Sequence, residues 1–372
     1  MLAISHLMIP KPGECVFIDE EVTERRKTMR YPYKKLKNMG IQIMKKAGLE
    51  KTEAEIFIEN LLYADARGVH SHGLSRLGVY AKRVSCGLIN AGADVTVIAE
   101  SESTVALDGN NGIGAKIGRQ AMELAIQKAR KTGCAVVTVK HGNHFGACSF
   151  YSRYASEQGM IAIVMANSVA NGAPFGGAKA MLGTNPFAMA VPAKEMRDFD
   201  FDGATSTVAH GKVVLAQKEG KSIPLGWGVD KEGKPTTDPN QVAFMVPFGG
   251  AKGYAISLFI DIMCSCLAGA LNSRETSSFF KDFEHPQDVG YVMIVIDPDK
   301  FLPKEEFLEK VDSELKEFSE CPPAAGHSKV FLPGEIEGIK EDESKEKGIE
   351  LSDATVEELK NLCDKYEVAY TI

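Results

Sequence analysis

Gly109-Asn110-Asn111-Gly112-Ile113-Gly114-Ala115-Lys116-Ile117-Gly118 follows a strand-like stretch, residues 103–108, and opens a helical pattern over residues 113–132. A strand, a glycine cluster and a helix invite a dinucleotide-binding reading of the doubly wound kind. Two features exclude it. That fingerprint needs its third glycine three residues after the second, and the gap from Gly114 to Gly118 is four. The next strand, residues 134–139, ends in Lys140 and His141, with no acid to hold a ribose. The pattern is α/β, but it is not a Rossmann fold.

Downstream comes Lys140-His141-Gly142-Asn143-His144-Phe145-Gly146, then a helix through residue 157 and a strand over 160–166. This unit puts His144 in a glycine-flanked loop at a strand's C-terminal end, where α/β proteins place ligand sites. A histidine merely capping the next helix is the plainer alternative. Small residues dominate 168–185, followed by Pro186 and a strand over 187–191. Asp200-Phe201-Asp202-Gly203-Ala204-Thr205-Ser206 ends another strand in small hydrogen-bonding residues. Residues 226–239 read as a hairpin. Gly249-Gly250-Ala251-Lys252-Gly253 leads into residues 254–271, the most apolar segment; Asp261 at its middle favours a buried core helix over a membrane span. A strand is expected over 291–296, an amphipathic helix over 304–319, a loop with a short strand at 329–332, a solvated acidic stretch over 335–350, and a last helix over 355–366.

Upstream, residues 33–47 read as a helix closed by Gly48, and Thr52-Glu53-Ala54-Glu55 reads as a capping box. The helix it opens breaks at Gly68. Ser71 is then a natural N-cap for a helix ending at Gly87. In that register His72, Arg76 and Tyr80 share one face, at i, i+4 and i+8. A proton carrier, a guanidinium fork and a phenol beside a helix N-terminus suit a small anionic substrate. The bland alternative is a solvated face.

The 372 residues allow two or more domains, and 44% apolar with 25% charged residues is ordinary for a soluble protein. A net charge of −7 argues against nucleic acid and against an anionic membrane as partner. Eight cysteines without CxxC spacing read as reduced thiols of a cytoplasmic protein, and no N-terminal signal pattern is present.

Ala64-Asp65-Ala66-Arg67-Gly68, Ser71-His72-Gly73, Arg76 and Tyr80 resemble the malate/L-lactate dehydrogenase family that lacks a Rossmann fold, whose relatives include ureidoglycolate, sulfolactate and diketogulonate oxidoreductases. Asn143-His144-Phe145-Gly146, Leu182-Gly183-Thr184-Asn185-Pro186, Asp202-Gly203-Ala204-Thr205-Ser206, Lys252-Gly253-Tyr254 and Pro333-Gly334-Glu335 match in the family's order. The resemblance runs from about residue 31 to the C-terminus. It implies an α/β, non-Rossmann NAD(P)-binding fold of the sulfolactate/malate dehydrogenase-like type with a helical N-terminal unit. The expected organisation is an extension over 1–30, a helical unit with substrate residues over 31–100, a nicotinamide-dinucleotide domain over 101–290, and a segment over 291–372 returning to the helical unit. By the same resemblance Ser71, His72, Arg76, Tyr80 and His144 line the substrate pocket. Ser168, Asn185, Asp202, Gly203, Ala204, Lys252, Gly334 and Glu335 contact NAD, with NADP possible, and the protein is a homodimer. His70, Phe175 and Ile336 depart from the family's usual acid, Trp and basic residue.

Oxidising a 2-hydroxy acid such as malate or L-lactate needs a base for the hydroxyl proton and a cation for the carboxylate. Histidine suits the first because its ordinary pKa lies near neutrality, and Arg76 suits the second through two parallel hydrogen bonds. His144 is assigned as base and His72 as its polarising partner. A rival reading joins His70, His72, His141 and His144 into the metal site of a hydrolase, but it supplies no carboxylate ligand and leaves Arg76 and Tyr80 unexplained. A non-catalytic binding protein would have no need of both histidines together with Arg76.

Overall fold

Short β1 (Met29–Tyr31) precedes α1 (Tyr33–Ala47) and α2 (Lys51–Ala66) in the computed structural model, which describes residues 29–208, 212–213, 216–217 and 220–372. The capping box sits two residues earlier than the sequence predicts. Glu50 is the N-cap and Glu53 its partner, because the chain is already extended at Glu50. Beyond Gly68, two 3-10 turns, His70–His72 and Leu74–Arg76, lead into α3 (Leu77–Ser85). Ser71 therefore caps nothing, and the expected continuous helix is broken at Gly73, where the backbone is extended. Asp65 is the cause. Its buried carboxylate accepts the Leu74 N–H at 2.7 Å and meets His70 Nδ1 at 2.9 Å. A Cβ at position 73 would lie 2.0 Å from that carboxylate, so only glycine lets the loop close over it.

The remaining chain builds a seven-stranded sheet from β2 (Thr96–Glu100), β3 (Thr104–Asp108), β4 (Cys134–Gly142), β5 (Ile161–Ala166), β6 (Phe187–Val191), β7 (Phe199–Gly203) and, after the small three-stranded β8 (Gly228–Val229), β9 (Pro235–Thr236) and β10 (Phe244–Met245), β11 (Val289–Ile296). The order is β2-β3-β4-β11-β5-β6-β7. Of the neighbouring pairs in this sheet, β3 and β4 run parallel and the others antiparallel. A doubly wound fold needs a parallel sheet, so the topology agrees with the rejected glycine fingerprint. Since β11 lies between β4 and β5 and opposes both, the ends of β3, β4, β5 and β7 and the starts of β6 and β11 open at one end of the sheet. That end carries the site.

One sheet face packs α4 (Gly114–Thr132) and α5 (Ser149–Ser156) through Ile117, Met122, Phe145 and Tyr151. The other packs helix Ala251–Ile262, which continues as a π-helical turn, through Met165, Ile260, Cys264 and Val292. A third core joins α1–α3 to β12 (Ile349–Leu351), which pairs with β1, and to helix Asp353–Tyr366. Full burial of a Leu or Phe is worth about 1.5–3 kcal/mol, so these cores dominate the fold's stability. Between them lies a buried ion cluster. Arg67 pairs with Asp200, and Glu341 joins Arg67 at 3.0 Å to Arg153 at 2.7 Å.

Several expectations are corrected. The apolar helix near 254–271 is buried along one stripe, Gly253, Ser257, Ile260, Asp261 and Cys264, while Ile256, Phe259, Ile262 and Leu267 are exposed. Uniform hydrophobicity reads as burial all round, yet a single chain covers one face. No strand forms at 329–332; the acidic stretch is solvated as expected along most of its length, but as a helix, Glu335–Lys347, in which only Gly338 and Ser344 are buried. The boundary expected at 291 falls inside β11, the middle strand of the sheet, and that at 30 falls inside β1; residues 1–28 of the expected extension lie outside the described residues. Among the described residues no helix is long and apolar enough to cross a membrane.

Candidate active site

The loop after β4 is held on every side before it carries any chemistry. The Asn143 amide donates to Asn111 Oδ1 at 2.8 Å and to the carbonyls of Asn111 and Gly112 at 3.1 and 3.0 Å. Tyr291 donates to the Asn143 carbonyl, and the Phe145 ring stacks between Tyr291 and Tyr151, 4.2 and 4.7 Å centroid to centroid. Asn60 of α2 donates to the Phe145 carbonyl at 3.1 Å, and Gln287 accepts the His144 N–H at 2.9 Å. The glycine loop that opened the sequence finds its use here. A Cβ on Gly114 would come 2.3 Å from the His144 carbonyl oxygen, so that glycine admits the loop's backbone to the start of α4.

His144 then meets Tyr80 of α3. The Tyr80 hydroxyl lies 3.0 Å from the His144 carbonyl and 2.5 Å from its Nδ1. The one hydroxyl proton can serve the carbonyl, which only accepts, with Nδ1–H then donating to the Tyr80 oxygen. In that tautomer Nε2 keeps a free lone pair, the arrangement a base needs.

The His72 ring stacks beside it, 5.6 Å between centroids and 18° from parallel, and its Nδ1 lies 3.0 Å from Ser71 Oγ. Burial, then the Arg76 charge, pushes His72 down to about 4. Burial, then His72 and Arg76, holds His144 well below its ordinary value. Both imidazoles are neutral at neutral pH, and burial keeps the Tyr80 phenol protonated. The sequence placed the titration near neutrality; the surroundings move it into the acid range.

Arg76 ends the second 3-10 turn instead of sharing a helix face with His72 and Tyr80. Its Nε donates to the Ser71 carbonyl at 2.6 Å, and its guanidinium lies over the Phe280 ring. Among the described residues no hydrogen bond or ion pair engages its two terminal nitrogens, so a bidentate fork is available to a carboxylate. Sequence reasoning missed Asp65 as the loop's anchor, together with Arg83, Phe279, Phe280 and Gln287. The last three lie on a segment without helical or strand periodicity, which leaves no sequence signal.

The metal reading fails on geometry. His70 turns to Asp65, and His141 turns to Asp108 at 2.8 Å, away from the stacked pair. Among the described residues no three His, Cys, Asp or Glu side chains gather as a metal site.

The proposed dinucleotide contacts line the same sheet end. Ser168 Oγ accepts the Thr184 N–H at 3.0 Å, Thr205 donates to the Thr184 carbonyl at 2.8 Å, and Phe248 donates to the Thr205 carbonyl at 3.0 Å. This ladder carries Ser168, Gly203 and Ala204 toward the helix start bearing Lys252. Lys252 is exposed and, among the described residues, makes no hydrogen bond or ion pair. Asp202 is exposed, with one carboxylate oxygen accepting the Ser149 N–H at 2.8 Å. The Gly334–Glu335 turn packs on β7, where a Cβ on Gly334 would lie 2.6 Å from the Asp200 carbonyl oxygen. An unpaired cation for phosphate and the Asp202 carboxylate for ribose hydroxyls fit a dinucleotide, while both Glu335 oxygens are already taken by Lys329 and the Leu332 N–H. Asn185 differs. It is fully buried, and its amide is spent on Ser168, Ser257 and Ser273, so it braces Ser168 from behind.

Comparison with known proteins places this geometry. Residues 31–360 match the family model described as malate/L-lactate dehydrogenase. L-sulfolactate dehydrogenase of Methanocaldococcus jannaschii is 38% identical over 334 residues, 88% of this chain and 95% of that protein. Ureidoglycolate dehydrogenase (NAD(+)) of Escherichia coli O157:H7 is 37% identical over 307 residues, 82% of this chain and 88% of that protein. The crystal structure of malate dehydrogenase from Entamoeba histolytica superposes with a TM-score of 0.88 at 31% identity, covering 93% of this chain and all of that one. The chain belongs to the malate/L-lactate dehydrogenase family of nicotinamide-dependent 2-hydroxy acid dehydrogenases.

Proposed function

We propose that the protein interconverts malate and oxaloacetate with NAD, with L-lactate and pyruvate as the second pair, and that the Tyr80-set tautomer of His144 carries the chemistry. Arg76 holds the substrate carboxylate through its free fork. His144 Nε2 takes the hydroxyl proton during oxidation, and His72 and Ser71 polarise the same oxygen from the other side. A nicotinamide cofactor, when bound, would supply the hydride acceptor and donor for C2. Ser168, Gly203, Ala204 and Lys252 would hold that cofactor, and Asp202 with the Gly334–Glu335 turn would hold its ribose. The Asp202 carboxylate there repels an extra phosphate, which favours NAD over NADP; Glu335 is already paired with Lys329. The second acidic group of malate and sulfolactate, named in two relatives, favours malate over lactate. A 2-oxo acid panel with NADH and with NADPH, followed by nicotinamide absorbance, reads substrate and cofactor together. Oxaloacetate with NADH should turn over fastest, and no turnover on any 2-oxo acid would contradict the reading.

The exposed apolar face of helix Ala251–Ile262 supports a homodimer, since Ile256, Phe259 and Ile262 are costly to leave in water. Sedimentation at micromolar chain concentration should give two chains per particle; a single chain would remove this part of the proposal.

The pH dependence follows from the depressed imidazoles. Protonated His144 cannot accept a proton, so oxidation fails as pH falls through its pKa. That pKa lies below the ordinary value of about 6.5. The kcat/KM for hydroxy-acid oxidation should hold level through neutral pH and fall only in the acid range. His144→Asn should lose about 10²–10⁴-fold in turnover, the usual worth of a general base, and lose the acid limb. His72→Asn should slow turnover and keep the limb. A limb that disappears in His72→Asn and persists in His144→Asn would exchange the two roles.

A further inference from the structure

The segment at residues 276–288, which no motif marks, reaches the active site at three points. Phe279, 3% exposed, sets its ring 4.9 Å from that of His144 and 4.7 Å from that of Tyr80. Phe280, 51% exposed, lies under Arg76, 4.7 Å from guanidinium carbon to ring centroid. Gln287 accepts the His144 N–H. One dipeptide thus touches both the base and the carboxylate fork.

A buried guanidinium holds this segment in place. Arg83 has no exposed surface, and it donates to the carbonyls of Asp282, His285 and Phe279 at 2.6, 3.2 and 3.4 Å. Burying a charge is costly unless its donors are used, and here both terminal nitrogens are spent on three carbonyls of residues 279–285, while Nε makes no hydrogen bond among the described residues. Asp282 closes the turn from within by accepting the N–H groups of Glu284 and His285 at 2.9 and 3.0 Å. Phe280 is therefore held at a fixed height below Arg76.

A free guanidinium on a long side chain samples many orientations, and binding a carboxylate must remove that freedom. The Ser71 carbonyl fixes one edge of Arg76, and the Phe280 ring fixes its plane. The two terminal nitrogens then point the same way before substrate arrives. An aromatic face is also a partner that does not neutralise the charge, as an acid would, so the fork stays cationic for its ligand.

We propose that Phe280 is a positioning residue that sets affinity for the substrate carboxylate by fixing the plane of Arg76, with Arg83 as the anchor that holds Phe280. The proposal rests on Arg76 being the carboxylate anchor. Its test compares Phe280→Leu, Phe280→Tyr and Arg76→Lys for 2-oxo acid KM, kcat and NADH dissociation constant. Phe280 is half in solvent, so its variants should fold. Phe280→Leu should raise KM about tenfold, while kcat and NADH binding stay within about twofold. Phe280→Tyr, which keeps an aromatic face, should restore KM. Arg83→Lys should reproduce the KM increase if it folds, and wild-type KM in a folded Arg83→Lys would remove Arg83 from the proposal. Wild-type KM in Phe280→Leu beside a large KM increase in Arg76→Lys overturns the inference and leaves the reading of Arg76 standing. If Arg76→Lys is itself silent, the reading of Arg76 falls and takes the inference with it. A Phe280→Tyr variant that behaves like Phe280→Leu, or NADH binding that weakens in step with KM, assigns the ring to general packing and overturns the proposal.

Discussion

The Tyr80 hydroxyl is the joint on which the proposed substrate-facing geometry depends. Tyr80 belongs to the helical unit and His144 to the end of β4, and the Tyr80 hydroxyl bridges both the carbonyl and the Nδ1 of His144. A buried hydroxyl or imidazole left without its partner costs about 1–3 kcal/mol, so the joint is stable only when both halves are in register. Much of the surrounding structure serves that register. Gly114 admits the His144 backbone, Asn143 and Tyr291 fix the residue before it, and Asn60 of α2 reaches across to Phe145. On the other side Phe57 and Phe279 pack edge-on to the Tyr80 ring.

The electrostatics follow from the same closeness. Two imidazoles, a phenol and a guanidinium share a site from which the protein has excluded most water, with one net positive charge among them. The cheapest state at neutral pH has both histidines neutral and Arg76 alone charged. An anionic substrate changes the balance. A carboxylate bound at Arg76 would offset its charge, the smaller cause of the depression after burial, and so raise the proton affinity of both imidazoles. The ion cluster of Arg67, Arg153, Asp200 and Glu341 extends this order outward. It fastens the end of α2, which leads into the loop of His70 to Arg76, to β7 and to the helix behind Gly334.

Much of this was legible in the sequence wherever chemistry is tied to local spacing. The glycine gap ruled out the doubly wound fold, the helices at 33–47 and 304–319 match residue for residue, and Asn143-His144-Phe145-Gly146 marked the loop whose histidine stacks on His72. What failed were features set by distant contacts. The helical register from Ser71 looked sound, yet a buried carboxylate at Asp65 outcompetes it by capping Leu74 instead. The most apolar helix looked buried, but one sheet face covers only one stripe of it. Residues 276–288 have neither period nor motif, and their placement depends on Arg83, whose partners lie about two hundred residues away in the chain.

The account's central claim is the proton position on His144, and nitrogen-15 NMR of the imidazole-labelled protein reads it directly. At neutral pH the His144 ring should show a protonated Nδ1 and an unprotonated Nε2, and Tyr80→Phe should disturb that tautomer while leaving the other histidines unchanged. A proton on Nε2, or an imidazolium ring at neutral pH, would contradict it.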